Sequence, residues 1–398
     1  MAASVNIMKR EFEYSTVTSS EDVQKFGSIL AQCFLASPDE EQAWVKRMGV
    51  ENIRVIRKQK EIVGGLVTIP MGQWWNGGTV PMTGIAGVGI APESRGSGAA
   101  LSLMQQAIKE LYVNDVPTSV LYPATQRLYR NVGYEQGGSF CSWEIPAQSI
   151  QIKEQPLPVK SVSLDSEIYY ELYTKQARNI NGYLNRNQTI WNRIIQPSNK
   201  EVFYGYVIGS VEKPEGYIII SQYSRDNENI LSVVDWVTLT NAATKTFWSF
   251  LSNHRSQIDK IRWRSSAIDN LMFILPEQTV KNRFIQRWML RIINVEKALS
   301  SRDYYPGIET ELHLEITDDL IAENNGKYVL SIAKGCGKII KGGKGELKLD
   351  IRGLASLFTG LFSPQQLQVA GKIDGTEQAI STATQIFAGT SPWMMDFF

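Results

Sequence analysis

The stretch GVGIAPESRGSGAALSLM, residues 87–104, constrains the fold more than any other part of the chain. It closes a long apolar, glycine-rich run from Thr79, which reads as a buried strand containing a bulge. Pro92 ends that strand, a glycine-rich turn follows, and a helix begins near Gly98 or Ala99. Leu101, Met104, Ile108, Leu111 and Tyr112 then fall on one helical face. A buried strand that turns through glycines directly into a helix implies an α/β arrangement. The turn also has a chemistry. Its small residues leave backbone N–H groups open at a helix N-terminus, where the macrodipole favours negative charge. Arg95 adds a permanent cation with a forked set of donors, so the segment reads as a diphosphate cradle. A plain strand–helix turn that favours glycine is the alternative. The absence of GK[ST] excludes a P-loop, and the absence of GxGxxG excludes a Rossmann turn.

The surroundings repeat the alternation. SSEDVQKFGSILAQCF predicts a helix with Ser20 as N-cap, and IRVIRKQKEIVGGLVTIPMGQWWNGG predicts strand, turn and strand. SVLYPAT reads as a further buried strand, and QRLYRNVGYEQ as a short helix stopped by Gly133. The polar, proline-marked residues 146–160 then read as a linker. Beyond them, residues 163–195 read as helical, three strands follow, and NAATKTFWSFLSNH forms a helix, repeating the first order. The last part alternates like strands with turns at Asn325-Gly326 and Gly342-Gly343, then ends in an amphipathic helix and SPWMMDFF. Three domains are expected: 1–150, 151–288 and 289–398.

Composition excludes several classes. With 41 basic and 40 acidic residues, the chain has no electrostatic footprint for nucleic acid. Three separated cysteines argue against a disulfide framework and fit a reducing compartment. The two histidines, His254 and His313, have no metal-ligand spacing, so no metal is expected and both read as structural. There is no apolar leader and no 18-residue apolar run, so no membrane span and a cytoplasmic location are expected. SPWMMDFF is too short to span a bilayer, which leaves burial in its own protein or in a partner. Burying each of Trp393, Met394, Met395, Phe397 and Phe398 completely would contribute roughly 1.5–3 kcal/mol. Asp396 beside them reads as capping or solvating the tail, or as adding acidity to the acceptor site, and Trp74-Trp75 as core or as acceptor lining.

Arg95-x-x-Gly98-x-Ala100 after a strand resembles the pyrophosphate motif of the GCN5-related N-acetyltransferases. Tyr129-Arg130-Asn131-Val132-Gly133-Tyr134 resembles a later motif of the same family. ENNGKYVLSI, GELKLDIRGLASLFTG and PWMMDFF resemble a sterol-carrier-protein-like domain. Together these are the layout of the Eis (enhanced intracellular survival) family. The resemblance implies an α/β (α+β) fold class: tandem GNAT-type folds followed by a sterol-carrier-protein-2-like α+β domain, the middle copy degenerate. It implies acetyl-CoA as cosubstrate, held by Val88, Gly89 and Ile90 along its thioester arm. Arg95, Gly96, Ser97, Gly98, Ala99 and Ala100 would hold its pyrophosphate. Tyr129 would act as general acid, with an amphipathic core tyrosine as the alternative, and the Phe398 carboxylate as general base, delivered into the first domain by the tail. The acceptor would be an amine of an aminoglycoside, an arylalkylamine or a lysine side chain, and the assembly a homo-hexamer. VTLTNAATKTFW, the corresponding turn of the middle copy, has neither the arginine nor the glycines, so it is not expected to bind acetyl-CoA. A lipid carrier built on the last domain is the alternative of a different class.

Overall fold

The computed structural model describes residues 11–196 and 201–398, so part of the N-terminal segment read above as lacking a leader lies outside them. The first unit comprises β1 (Glu13–Thr16), α1 (Ser20–Phe34), α2 (Pro38–Met48), β2 (Ile53–Lys58), β3 (Glu61–Trp75), β4 (Gly78–Ile90), α3 (Ala99–Val113), β5 (Thr118–Leu121), α4 (Gln126–Arg130) and β6 (Glu135–Pro146). Ser19, not Ser20, caps α1, because its hydroxyl accepts from the Asp22 N–H. Ser37, Pro38 and Glu40 form a capping box that starts α2 one short turn later.

The second unit comprises β7 (Val159–Ser161), α5 (Glu167–Ala177), β8 (Leu184–Asn185), α6 (Gln188–Ile195), β9 (Tyr204–Gly209), β10 (Pro214–Arg225), β11 (Glu228–Thr238), α7 (Asn241–Ser252), β12 (Lys260–Ser265) and β13 (Lys281–Ile292). The helix expected over 163–195 is therefore split. α5 ends at Ala177, Gly182 takes φ +92° in the turn that follows, and β8 pairs with β3 of the first unit.

Both units share one 13-stranded sheet, ordered β1-β2-β3-β4-β5-β13-β6-β12-β11-β10-β9-β7 with β8 on β3. β13 inserts between β5 and β6, and β6 pairs with β12 of the second unit. Each unit thus lends a strand to the other, and no open strand edge remains at the join. β13 includes residues 289–292, MLRI, expected above at the start of the third domain.

The third unit starts with a helix, Val295–Ser301, and holds a five-stranded sheet of residues 310–317, 326–333, 336–341, 347–350 and 373–375. Its helix Ile351–Thr359 packs on β6 and β13, and Phe358 meets Trp75 edge-on at 5.3 Å. Trp75 is fully buried there and Trp74 nearly so, which makes both core residues. The acceptor-lining reading of this pair is corrected: the side chains are consumed by the joints between units.

Candidate active site

β4 is where the first unit opens. Gly65 pairs with Gly89 but Val67 pairs with Ala86, so Gly87 and Val88 stand opposite the single residue Leu66. This is the expected bulge. Gly87 holds φ +56°, a left-handed value that a side chain resists, and a Cβ there would strike the Trp44 ring at 2.8 Å. On the other side, β4 pairs in parallel with β5 only from Met82–Thr118 to Ile85–Leu121. β5 ends at Leu121, so residues 86–90 lose their neighbour and a gap opens between the two strands. Val88, Gly89 and Ile90 lie along that gap.

The gap leads to the N-terminus of α3. Gly98 is the N-cap with φ +88°, and no side chain bonds the first N–H groups of the helix. A Cβ on Gly96 or Gly98 would meet nothing within 4 Å, so an anion has free approach to the backbone. Ala99 buries its methyl and presents its N–H, and Ser97 folds back to the Ser94 carbonyl at 2.6 Å. Arg95 is exposed beside the cradle, with Nε donating to the Ile90 carbonyl at 3.4 Å and Nη2 lying 3.6 Å from the Cys33 Sγ. These residues fit the diphosphate and extended arm of an acyl-CoA.

Tyr129 and the tail approach β4 from opposite faces. Tyr129, 5% exposed, packs with Ile85, Leu121 and Tyr134 on the α3 side. Burial pushes its phenol up to about 12. Among the described residues its hydroxyl has no hydrogen-bond partner, so its proton is uncommitted. On the other face a Cβ on Gly84 would lie 2.6 Å from the Phe398 ring, so only glycine admits that ring. Tyr129 and Phe398 thus pack by the adjacent β4 residues Ile85 and Gly84, on two sides of one strand.

The tail is pinned along its length. Ser139 of β6 donates to the Pro392 carbonyl at 3.1 Å and accepts from the Met394 N–H at 3.3 Å. Trp393 donates to the Asn181 carbonyl and packs edge-on against Tyr183 at 4.7 Å. Trp393, Met394 and Met395 are buried, but Phe397 is 40% exposed, so the gain from near-complete burial rests on the first three. Asp396 neither caps nor solvates. It is buried and paired with Arg186 at 3.0 Å, whose other guanidinium edge holds the fully buried Asp235 at 2.6 Å. Tyr217 donates to Asp235, and the Arg186 guanidinium lies over the Tyr173 ring at 3.9 Å. A solvating reading failed because Arg186 lies 210 positions away.

Tyr122, at the end of β5, was not singled out from sequence. Its hydroxyl donates to the Asp396 carbonyl at 2.9 Å, and its ring lies 4.5 Å from Phe397 and 5.9 Å from Phe398. A tyrosine directly after a buried strand, in LYPAT, was the available signal.

A bulged strand, a gap beside it and an uncapped glycine N-terminus give the first unit a cradle that fits an acyl-CoA. Residues 13–137 and 182–292 each match an acetyltransferase (GNAT) domain, and residues 295–395 match a sterol carrier protein domain. The chain is similar to the GCN5-related N-acetyltransferase from Anabaena variabilis, with 54% identity over 97% of this chain and 100% of that one, at a TM-score of 0.95. A GCN5-related N-acetyltransferase from Kribbella flavida shares the fold at 24% identity, 97% and 98% coverage and a TM-score of 0.86. So does Eis1 from Mycobacterium abscessus, at 18% identity, 97% and 100% coverage and a TM-score of 0.80. No curated relative matches. The chain belongs to the GCN5-related N-acetyltransferases, as a two-copy acetyltransferase with a C-terminal sterol-carrier-type domain. Among the described residues no helix is long and apolar enough to cross a membrane.

Proposed function

We propose that this acetyltransferase moves the acetyl group of acetyl-CoA directly to a primary amine in a ternary complex, with Tyr129 as general acid and the Phe398 carboxylate as general base. The observation that carries the reading is the seating of Phe398 on Gly84, three residues before the Gly87 bulge. Acetyl-CoA supplies an activated thioester. The chain supplies position, hydrogen-bond donors and two proton carriers. Val88, Gly89 and Ile90 align the arm, and the N–H groups freed by the bulge and gap face the oxygen on which charge develops. Tyr129 keeps its proton for the departing sulfur, because burial disfavours the phenolate. Phe398 is half-buried, and its carboxylate takes the proton of the amine directly or through one water.

The second unit acts as scaffold and anchors the tail. Homo-hexameric assembly and a cytoplasmic site of action belong to the same proposal, and light scattering of the purified chain checks the assembly. The lipid-carrier alternative is disfavoured, since the helix Ile351–Thr359 turns its apolar face onto β6 and β13. The test adds one glycine after Phe398. Trp393 to Met395 and the Arg186–Asp396 pair stay in place, so the melting temperature should hold while kcat falls about 100-fold. Retained turnover in that folded variant would remove the terminal carboxylate from the mechanism.

A further inference from the structure

A cleft of about 750 Å3 opens between α2, α6, the β10–β11 face and the tail. It adjoins the reacting point, because one of its walls is Trp44, the ring packed against the Gly87 bulge. Phe397 forms another wall, one residue from the proposed base.

The charge in this cleft is one-sided. Arg47, Arg186, Arg193, Arg225 and Arg264 line it, against only Glu201 and Asp396. Arg186 is neutralised by Asp235 and Asp396, and Arg225 has Asp226 at 3.5 Å. That leaves Arg47 of α2, Arg193 of α6 and Arg264 of β12, converging from three elements. Among the described residues none of the three forms an ion pair. Two are fixed by neutral groups instead: Arg193 donates to the Phe397 carbonyl and Arg264 to the Met395 carbonyl, at 3.5 Å for the latter. Their positions are set by the tail, and Asp396 and Glu201 act on both guanidinium groups only at longer range than an ion pair. Partial desolvation in the cleft depresses the Arg193 guanidinium, Asp396 and Glu201 offset this, and Arg264 and Arg47 add like-charge repulsion. Three arginines held near one another with so little compensation form a site for an oxyanion.

We propose that the acceptor is a small primary amine carrying its own oxyanion, a carboxylate or a phosphate ester, which Arg47, Arg193 and Arg264 bind while the amine points at the β4 bulge. This rests on the acetyltransferase reading above and deepens it. The same field serves the chemistry. A positive cleft lowers the proton affinity of an amine placed in it, so less work falls on the base. It also repels polycationic amines, which bring several like charges into a confined space.

The experiment uses the full chain and a set of amines matched in skeleton: one uncharged beyond its amine, one with a carboxylate, one with a phosphate ester, and a polycationic aminoglycoside. We expect kcat/KM for the better anionic amine to exceed that of the uncharged one at least tenfold, chiefly through KM, and to fall as salt is raised. The carboxylate and phosphate arms identify which oxyanion is preferred. Arg47→Gln and Arg264→Gln should each lower the anionic-to-uncharged ratio about tenfold, and Arg→Lys at the same positions should recover part of it. Equal or better use of the polycation overturns the proposal, as does an unchanged ratio in both variants. A loss confined to acetyl-CoA affinity overturns it too. If no amine is acetylated, the acetyltransferase reading fails by itself. Calorimetric binding of the same set to CoA-loaded protein then decides the charge preference.

Discussion

The strand–turn–helix junction occurs twice, and the two copies dispose of the helix N-terminus in opposite ways. At α3 the N-cap is Gly98, which brings no side chain to the first N–H groups. At α7 the N-cap is Thr240, whose hydroxyl accepts from the Ala243 N–H at 3.1 Å and donates to the Glu215 carboxylate at 2.7 Å. One end is left for an anion, while the other already has an acceptor and a negative charge beside it. The strands ahead of the helices diverge the same way. Both β4 and β11 carry a bulge beside a short parallel pairing, β4 with β5 and β11 with β12. Beyond β5 the gap stays open. Beyond the β11–β12 pairing the Trp236 indole N–H bridges to the Arg264 carbonyl at 2.9 Å, and Trp393 of the tail stacks over Trp236 at 6.3 Å. The second copy has thus kept the geometry of an acyl-CoA cleft and filled it with tryptophan. The tail it holds there is the one that reaches the first copy.

That contrast can be broken most sharply at Tyr129. Tyr129→Phe removes a proton donor from the open copy and should lower kcat at least 100-fold with the acetyl-CoA KM within about twofold. An unchanged kcat would make Tyr129 a core residue like its counterparts elsewhere. Because burial raises this phenol to about 12, the acid form persists as pH rises from roughly 7 to 10. The kcat profile should therefore show no falling limb from Tyr129 across that window. A limb near pH 9 that vanishes in Tyr129→Phe would point to a far less shielded phenol.

The filled copy is tested through its latch. Arg186→Met strands Asp235 and Asp396 without their partner, and urea unfolding should report a loss of about 3–5 kcal/mol. Activity should fall with it, since the tail loses its anchor. Next comes Gly98→Val, which places a β-branched residue at φ +88° and costs about 1–2 kcal/mol in backbone conformation. It should weaken CoA binding at least tenfold by calorimetry. Thr240→Gly should create no second site, so the stoichiometry stays at one CoA per chain, and two would refute the contrast. The smallest effect is Thr240→Ala, a lost cap of about 1 kcal/mol in thermal unfolding, with acetylation unaffected.

Much of this is legible in the sequence. Gly87, Gly96 and Gly98 could be read from sequence because glycine at a strand end or helix start reports a local backbone demand, and local demands are written in neighbouring residues. Trp44 was not legible, since an aromatic on a helix becomes a cleft wall only through the strand it touches. Asp396 was misread for the same reason: its partners Arg186 and Asp235 are distant in sequence. The split of residues 163–195 around Gly182 was missed because β8 exists only by pairing with β3.

By itself, the sequence determined the bulged strand, the glycine cradle beside Arg95 and an apolar C-terminal stretch that had to be covered. Each of these follows from backbone sterics or from the cost of leaving apolar surface in water, which neighbouring residues dictate. Tertiary structure alone decided that β13 and β6 cross between the two copies. It also decided that the Arg186 latch aims the tail at Gly84, and that three arginines from three elements share one cleft. Those outcomes depend on contacts between residues about 200 positions apart, and no local pattern encodes such a contact.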